Sequence, residues 1–280
     1  MDALREQMTK DLQLKGITPR TQKKYLREVG IMADYFDKPL EEVGEKELKD
    51  YLVHMLENRK ISRGTYKTYV AGIKFLYKTT LNREEVVEKI RYPKALRKLP
   101  VVLDLAEVRT LLSVMENLKH RAFLTITYSA GLRVSEAAKL RVTDIDSKRM
   151  MVRVQQGKGG KDRYSILSQT ALELLRRYWR QYRPKEWLFE GQQNGTHICY
   201  TAIRNIFFEA KKRAGIAKPA SIHTLRHSFA THLIEAGTSL HHVQLLLGHR
   251  SPTTTTVYLH VSKMNLAKVT SPLDSIPEEL

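Results

Sequence analysis

A mainly α-helical fold with one small antiparallel β-sheet, divided between two modules, is what this 280-residue sequence predicts. Three observations predict it. Apolar residues recur at helical spacing through most of the chain. Two short runs rich in β-formers face each other across a glycine–lysine turn. A basic stretch at 91–100 carries Pro93 and Pro100, and proline drives the residues before it toward extended backbone, so it reads as a linker.

The first module, residues 1–90, reads as helices. Thr18 and Pro19 open one, with a capping hydroxyl and a proline at the first helical position, and Tyr25, Met32 and Phe36 mark its inner face. Residues 45–57 form a second helix around Leu48, Leu52 and Met55. A third spans 65–79 around Val70, Ile73 and Tyr77. The second module, 101–280, opens with helices over 104–115 and 118–130. A hairpin follows, with strands at 149–155 and 163–167. Helices over 168–183 and 200–214 precede three shorter ones: 223–236, 239–247, and one that Ser251 and Pro252 cap and open.

Charge narrows the function. Lys and Arg number 48 against 30 Asp and Glu, a formal net charge of +18. Such an excess favours a polyanionic partner, nucleic acid before an anionic membrane. No run approaches the roughly 20 apolar residues of a spanning helix, and the N-terminus has no apolar signal core. The single cysteine, Cys199, permits no internal disulfide and suits a reducing interior. A cytoplasmic, nucleoid-associated protein with no membrane partner is expected. From Asn58 to Arg83 there is no acid, while Arg59, Lys60, Arg63, Lys67 and Lys74 stand among the bases. Such a face can lie along phosphates, the plain alternative being a solvated surface. Arg91, Lys94 and Arg97 in the linker, and Lys161 and Arg163 at the hairpin, extend the expected DNA contacts.

Three local patterns carry chemistry. Arg133 follows a glycine break at a helix start, where a guanidinium can hold a phosphate in bidentate fashion. The glycine–lysine string at 156–162 lacks the spacing of a phosphate-binding loop and sits in a hairpin, so ATP is excluded and Lys158 is read as presented to a DNA backbone. Seven of the ten histidines fall between His223 and His260. His223 and Arg226 share a helix face, His249 follows Gly248, and Tyr258 comes nine residues later. His223 and His227 have the spacing of a zinc pair, but no carboxylate or cysteine nearby completes a site, so no metal is assigned. Together these residues suit metal-free phosphoryl transfer, in which fixed cations stabilise the charge on a phosphodiester transition state.

In its order Arg133, Lys158, His223, Arg226, His249, Tyr258, and in the strings GLRVSE, GKGGKDR, HTLRHSFATHL and LLGHRSPTTTTVYLH, the chain resembles the tyrosine recombinases. That family includes phage and integron integrases and Xer-type recombinases. The resemblance covers nearly the whole chain and implies a C-shaped two-domain DNA clamp, a SAM-like helical core-binding domain joined to the catalytic domain. It implies attack by Tyr258 on the scissile phosphate, leaving a 3′-phosphotyrosyl link. Arg133 and Arg226 would hold the non-bridging oxygens, and Lys158 would protonate the departing 5′-oxygen. His223 would exchange a proton with the tyrosine, His249 would hydrogen-bond the phosphate, and Glu136 would orient these side chains from behind. No cofactor is implied. The partners would be a double-stranded recombination site and further copies of the chain, a dimer on one site and a tetramer in synapsis. Met264, Leu266 and Val269 would dock a C-terminal tail on a neighbour. With helices beginning almost at Met1, no additional N-terminal domain is expected. An architectural DNA-binding protein that has lost its chemistry would trap no covalent complex. A type IB topoisomerase would relax supercoils without strand exchange.

Overall fold

The computed structural model describes residues 2–93, 99–155, 162–249 and 251–259. The chain forms two compact units, Met1–Arg97 and Lys98–Leu280. Among the described residues, no helix is long and apolar enough to cross a membrane.

In the first unit, α1 (Asp2–Leu14), α2 (Pro19–Ala33), α3 (Glu45–Glu57) and α4 (Arg63–Phe75) close on one core. Met8, Leu12, Met32, Leu48, Tyr51, Ile73 and Tyr77 are among its fully buried members. Two of the helix starts are held by side-chain caps. Ser62 accepts the Thr65 N–H at 3.2 Å at the head of α4, and the Glu47 carboxylate accepts the Gly44 N–H at 3.0 Å at the head of α3. Thr18 differs from expectation. Its hydroxyl pairs with that of Thr21 at 3.0 Å and caps no backbone group. The third helix begins two residues earlier than its apolar spacing suggests, and it ends in a π-helical turn, Leu76–Thr80. That turn seats the Tyr77 hydroxyl on the Leu40 carbonyl at 2.9 Å. Helices α2 and α4 approach closely at Gly72, where a Cβ would stand 3.4 Å from Tyr25 Cα.

The second unit contains α5 (Leu105–Ser113), α6 (Leu118–Ser129) and the short α7 (Val134–Ala138), followed by a three-stranded sheet. Asp104 and Glu107 cap α5 reciprocally, each carboxylate accepting the other's N–H at 2.8 Å. The sheet runs β1 (Ile145–Asp146), β2 (Met151–Val154), β3 (Arg163–Ile166), antiparallel throughout, with Met151 opposite Ile166 and Val154 opposite Arg163. Strand β1 was not legible as a strand, being two residues long. Val152 and Val154 point into the core while Met151 and Arg153 face out, the period-two alternation of a half-buried strand. Ser165 is the buried polar residue of β3, and its hydroxyl donates to the Ala130 carbonyl at 2.8 Å. That bond fixes the end of α6 against the sheet.

Helices α8 (Gln169–Tyr182), α9 (Tyr200–Arg213), α10 (Ile222–Glu235) and α11 (Leu240–Leu247) complete the unit. Helix α10 is buried on most sides although much of it is polar, enclosing Leu225, Phe229, Ala230 and Ile234 along with Thr224, Arg226 and Ser228, as befits a helix central to its domain. The expected last helix is instead two 3₁₀ turns, Pro252–Thr254 and Thr256–Tyr258. Thr253 to Thr256 are all β-branched, stiff at χ1 and poor in helix propensity, and the Thr256 hydroxyl donates to the Thr253 carbonyl at 3.1 Å.

Phe123 is fully buried in α6 and meets Phe189 edge-on at 5.1 Å. Phe123→Ala is expected to cost about 3–5 kcal/mol. Both tryptophans, Trp179 and Trp187, lie in this unit, so urea unfolding followed by their fluorescence reads it directly. A loss below about 1 kcal/mol would show that this core can collapse around the cavity.

Candidate active site

The site begins where α6 stops. Gly131 has φ +57°, and a Cβ there would stand 2.3 Å from Phe229 Cδ1, so both the backbone and the ring packed against it require glycine. The turn aims the Gly131 carbonyl at Arg226, whose Nη1 donates to it at 2.7 Å. Two residues on, Arg133 heads α7. Its backbone N–H and its Nη1 donate to the two oxygens of Glu136, at 2.8 and 2.7 Å, and its Nη2 donates to the Gly248 carbonyl at 3.4 Å.

Glu136 is 8% exposed and gathers a second guanidinium from the sheet. Arg163 donates Nη1 and Nη2 to its two oxygens at 2.9 and 2.8 Å, and Nε to the Leu246 carbonyl at 2.9 Å. This corrects the expectation that Arg163 contacts DNA. Its side chain is only 11% exposed and its whole fork is turned inward. A Cβ on Gly248 would strike Arg163 Cδ at 2.6 Å, so this glycine too, at φ +62°, is required by packing and by backbone. Arg226, from α10, is 5% exposed and stands 3.7 Å from Glu136 through Nη1. Its Nη2 donates to the Leu247 carbonyl at 2.6 Å.

Three guanidiniums thus surround one carboxylate, leaving two net positive charges. Burial alone would raise the Glu136 carboxyl. Its hydrogen bonds from Arg163, and then the N–H and guanidinium of Arg133, outweigh that and hold it at about 2. Burial and Arg133 press Arg226 down to about 9, which leaves it charged at neutral pH.

The histidines divide. His249 accepts from Arg226 Nη2 on Nε2 at 3.1 Å, while its Nδ1 lies 2.9 Å from the hydroxyl of fully buried Thr255. A guanidinium can only donate, so Nε2 is bare and the Nδ1 proton goes to Thr255. Burial, then Arg226, Arg133 and Arg163, depress His249 to about 3, so it is a neutral imidazole. Tyr258, 2% exposed, packs into an apolar cluster with Phe229, Val243 and Leu247. Its hydroxyl is 3.0 Å from His227 Nδ1, and its ring stacks over His249 at 6.4 Å.

His227, not His223, therefore meets the tyrosine. His223 lies one helical turn earlier with its side chain at the surface, which corrects its expected pairing with Tyr258. The HTLRH string carries a signal for His227, because residues four apart share a helix face, but the same spacing also fits a zinc pair. Thr255 gave no such signal. Its role depends on a turn that closes only in the folded chain.

Lys158 and Lys161 at the hairpin, Lys94 and Arg97 in the linker, and the tail residues Met264, Leu266 and Val269 lie outside the described residues. In the first unit, Arg59, Lys60, Arg63, Lys67 and Arg91 are exposed. Lys74 is half-buried, its ammonium 5.6 Å from the centre of the Tyr92 ring.

The "Phage integrase family" profile matches residues 101–265, and that of the "Phage integrase, N-terminal SAM-like domain" matches 4–85. The chain is 42% identical over 278 residues to a putative integrase/recombinase, y4qK, of Sinorhizobium fredii, covering 99% of this chain and 90% of the relative. It is 33% identical to the tyrosine recombinase XerD of Listeria innocua, covering 91% and 92% of the two chains. Among solved structures, it resembles the XerH site-specific recombinase bound to its difH substrate before cleavage, with TM-score 0.71, 25% identity and coverage of 92% and 80%. A lambda integrase dimer bound to a COC′ core site shares the fold, with TM-score 0.74, 19% identity and coverage of 92% and 76%.

Removing the Glu136 charge would leave three guanidiniums with no counter-ion, a loss of the kind that costs about 3–5 kcal/mol at a buried site. Glu136→Gln is expected to destabilise this unit on that scale in urea titrations read by tryptophan fluorescence. The same carboxylate gives the pH dependence. Its folded pKa lies below its unfolded one, so its contribution is fully present above about pH 4.5 and is lost as pH falls toward about 2. The variant should lack that part of the acid destabilisation, and identical acid profiles for variant and wild type would refute the assignment.

Proposed function

The chain belongs to the phage integrase family, the tyrosine recombinases, and is a tyrosine-type site-specific recombinase; on that footing we propose that it exchanges strands through a covalent 3′-phosphotyrosyl intermediate at Tyr258. The observation that carries this reading is the convergence of Arg133, Arg226, His249 and Tyr258 around one small region, although 125 residues of chain separate its ends.

The chemistry follows from the residues. A phosphodiester in this region would meet the outer face of Arg133, which retains 22% side-chain exposure, and the Arg226 guanidinium held against it by carbonyls. The two net positive charges match a phosphate anion and the further charge that spreads over its oxygens as the transition state forms. His249, whose Nε2 is bare in the free protein, would hydrogen-bond one oxygen once the bound phosphate draws a proton onto that nitrogen. Lys158 would give its proton to the departing 5′-oxygen. Attack by tyrosine replaces one phosphate ester by another, so the break stores the bond energy and rejoining needs no nucleotide. With cations supplied by side chains, no metal is required.

The partner is double-stranded DNA, entered from the nucleoid in the cytoplasm. Arg59, Lys60, Arg63, Lys67, Lys74 and Arg91, with Lys94, Arg97 and Lys161, would follow its phosphates. Two copies would occupy one site and four would form the synapse.

Tyr258→Phe removes one hydroxyl and no cation, so it is expected to abolish the covalent DNA adduct on a nicked suicide substrate while leaving affinity within about twofold. An adduct that persists in this variant would move the nucleophile elsewhere. Cleavage by the unaltered protein is expected to continue in excess EDTA. Activity that disappears with the chelator and returns with Mg²⁺ or Zn²⁺ would sink the metal-free mechanism.

A further inference from the structure

The Tyr258 hydroxyl is buried, and a buried hydroxyl must place its proton somewhere. Among the described residues its hydrogen-bond partner is His227 Nδ1, at 3.0 Å, with ring centroids 5.8 Å apart and planes tilted by 47°. The backbone fixes both partners. His227 stands on α10 directly after Arg226, and Tyr258 closes the second 3₁₀ turn, its N–H donating to the Thr255 carbonyl at 3.1 Å. Nucleophile and acceptor are thus already within the reach that proton transfer demands. His223 has a surface position one turn away.

We propose that His227 is the residue that takes the Tyr258 proton during strand cleavage, an assignment that rests on Tyr258 being the nucleophile. The proton passes from Oη to His227 Nδ1 as an Oη lone pair forms the new bond to phosphorus. The phosphorus–O5′ bond breaks, its electron pair leaves with O5′, and that oxygen takes a proton from Lys158. In rejoining, the 5′-hydroxyl returns its proton to Lys158 and attacks phosphorus. The phosphorus–Oη bond breaks, and the His227 imidazolium gives its proton back to the departing phenolate. Atoms and charge balance in both directions, and no co-reactant is consumed.

The surroundings explain why the pair is inert until DNA arrives. His227 faces His223 and Arg226 on its own helix and Tyr258 from the terminal turn, with His249 beside the tyrosine ring. Burial, then His223 and Arg226, depress the imidazole to about 4, while burial raises the phenol above its ordinary value against the pull of Arg226 and Arg133. In the free protein the proton therefore stays on the tyrosine. A phosphate anion between Arg133 and Arg226 offsets the Arg226 charge that adds to burial in holding the imidazole neutral, and so makes it a better acceptor.

The test uses the full chain and a nicked suicide substrate, with single-turnover cleavage followed from about pH 6 to 9. His227→Ala removes the acceptor. His227→Asn keeps an oxygen close to the place of Nδ1 but cannot hold the proton, so it separates anchoring from proton transfer. Both variants are expected to cleave about 10²-fold more slowly or worse at unchanged DNA affinity. The wild-type rate should be flat across this range, whereas the His227→Asn rate should climb with pH because the phenol must ionise unaided. A His227→Asn protein that cleaves at the wild-type rate, or that keeps a flat profile, would overturn the proposal. Tyr258→Phe run alongside separates the two readings. If it still forms an adduct, the nucleophile is misassigned. If it forms none while His227→Asn cleaves normally, only the role of His227 falls.

Discussion

The Glu136 carboxylate is the point on which the catalytic unit turns. It accepts four hydrogen bonds from side chains and backbone of Arg133 and Arg163 and sits close to Arg226. Three guanidiniums could not share this space without it, since each buried charge loses its hydration and repels the others. One carboxylate for three cations is also an incomplete neutralisation. A fully paired cluster would hold together equally well but would have no field left for a phosphate. The ratio resolves a conflict between stability, which asks for paired charge, and phosphate binding, which asks for spare charge.

Because Glu136 draws its partners from α7, β3 and α10, it also aligns the elements that carry the chemistry. Arg163 brings the sheet to the end of α11 through the Leu246 carbonyl. Arg226 brings α10 to the end of α6 through Gly131 and to α11 through Leu247. The glycines at 131 and 248 let those carbonyls come close, one beneath Phe229 and the other beneath Arg163. The terminal turn is then tied to this frame by the Thr255 hydroxyl on His249 and by Tyr258 on His227. Tyr258 also packs among Phe229, Val243 and Leu247, so apolar burial and these two polar bonds together set where the nucleophile stands.

Much of this was legible in the order of residues. Helix spacing gave most of the elements, because a core-facing stripe recurs at 3.6 residues whatever the helix packs against. The second helix, 45–57, came out with the bounds it has in the structure. Prediction failed where local signals were short or ambiguous. A two-residue strand has no period to read, and a run of threonines after Ser-Pro has a helix-opening signature but not the propensity to continue. Arg163 beside a glycine–lysine turn looks like any other base facing a phosphate.

By itself the sequence determined the chemical inventory: a basic chain of helices, a tyrosine following a histidine cluster, arginines and a lysine in a fixed order, and a family resemblance carried by those strings. Residue type and spacing suffice for that, since they set charge, donor geometry and helix face locally. Only the tertiary structure decided which side chains meet. That Arg163 turns inward to Glu136, that His227 and not His223 reaches Tyr258, and that Thr255 sets the proton of His249 each depend on elements between 6 and 31 residues apart being packed together. A hydrogen bond needs its partners within about 3 Å, and no spacing along the chain fixes a distance that a fold has yet to make.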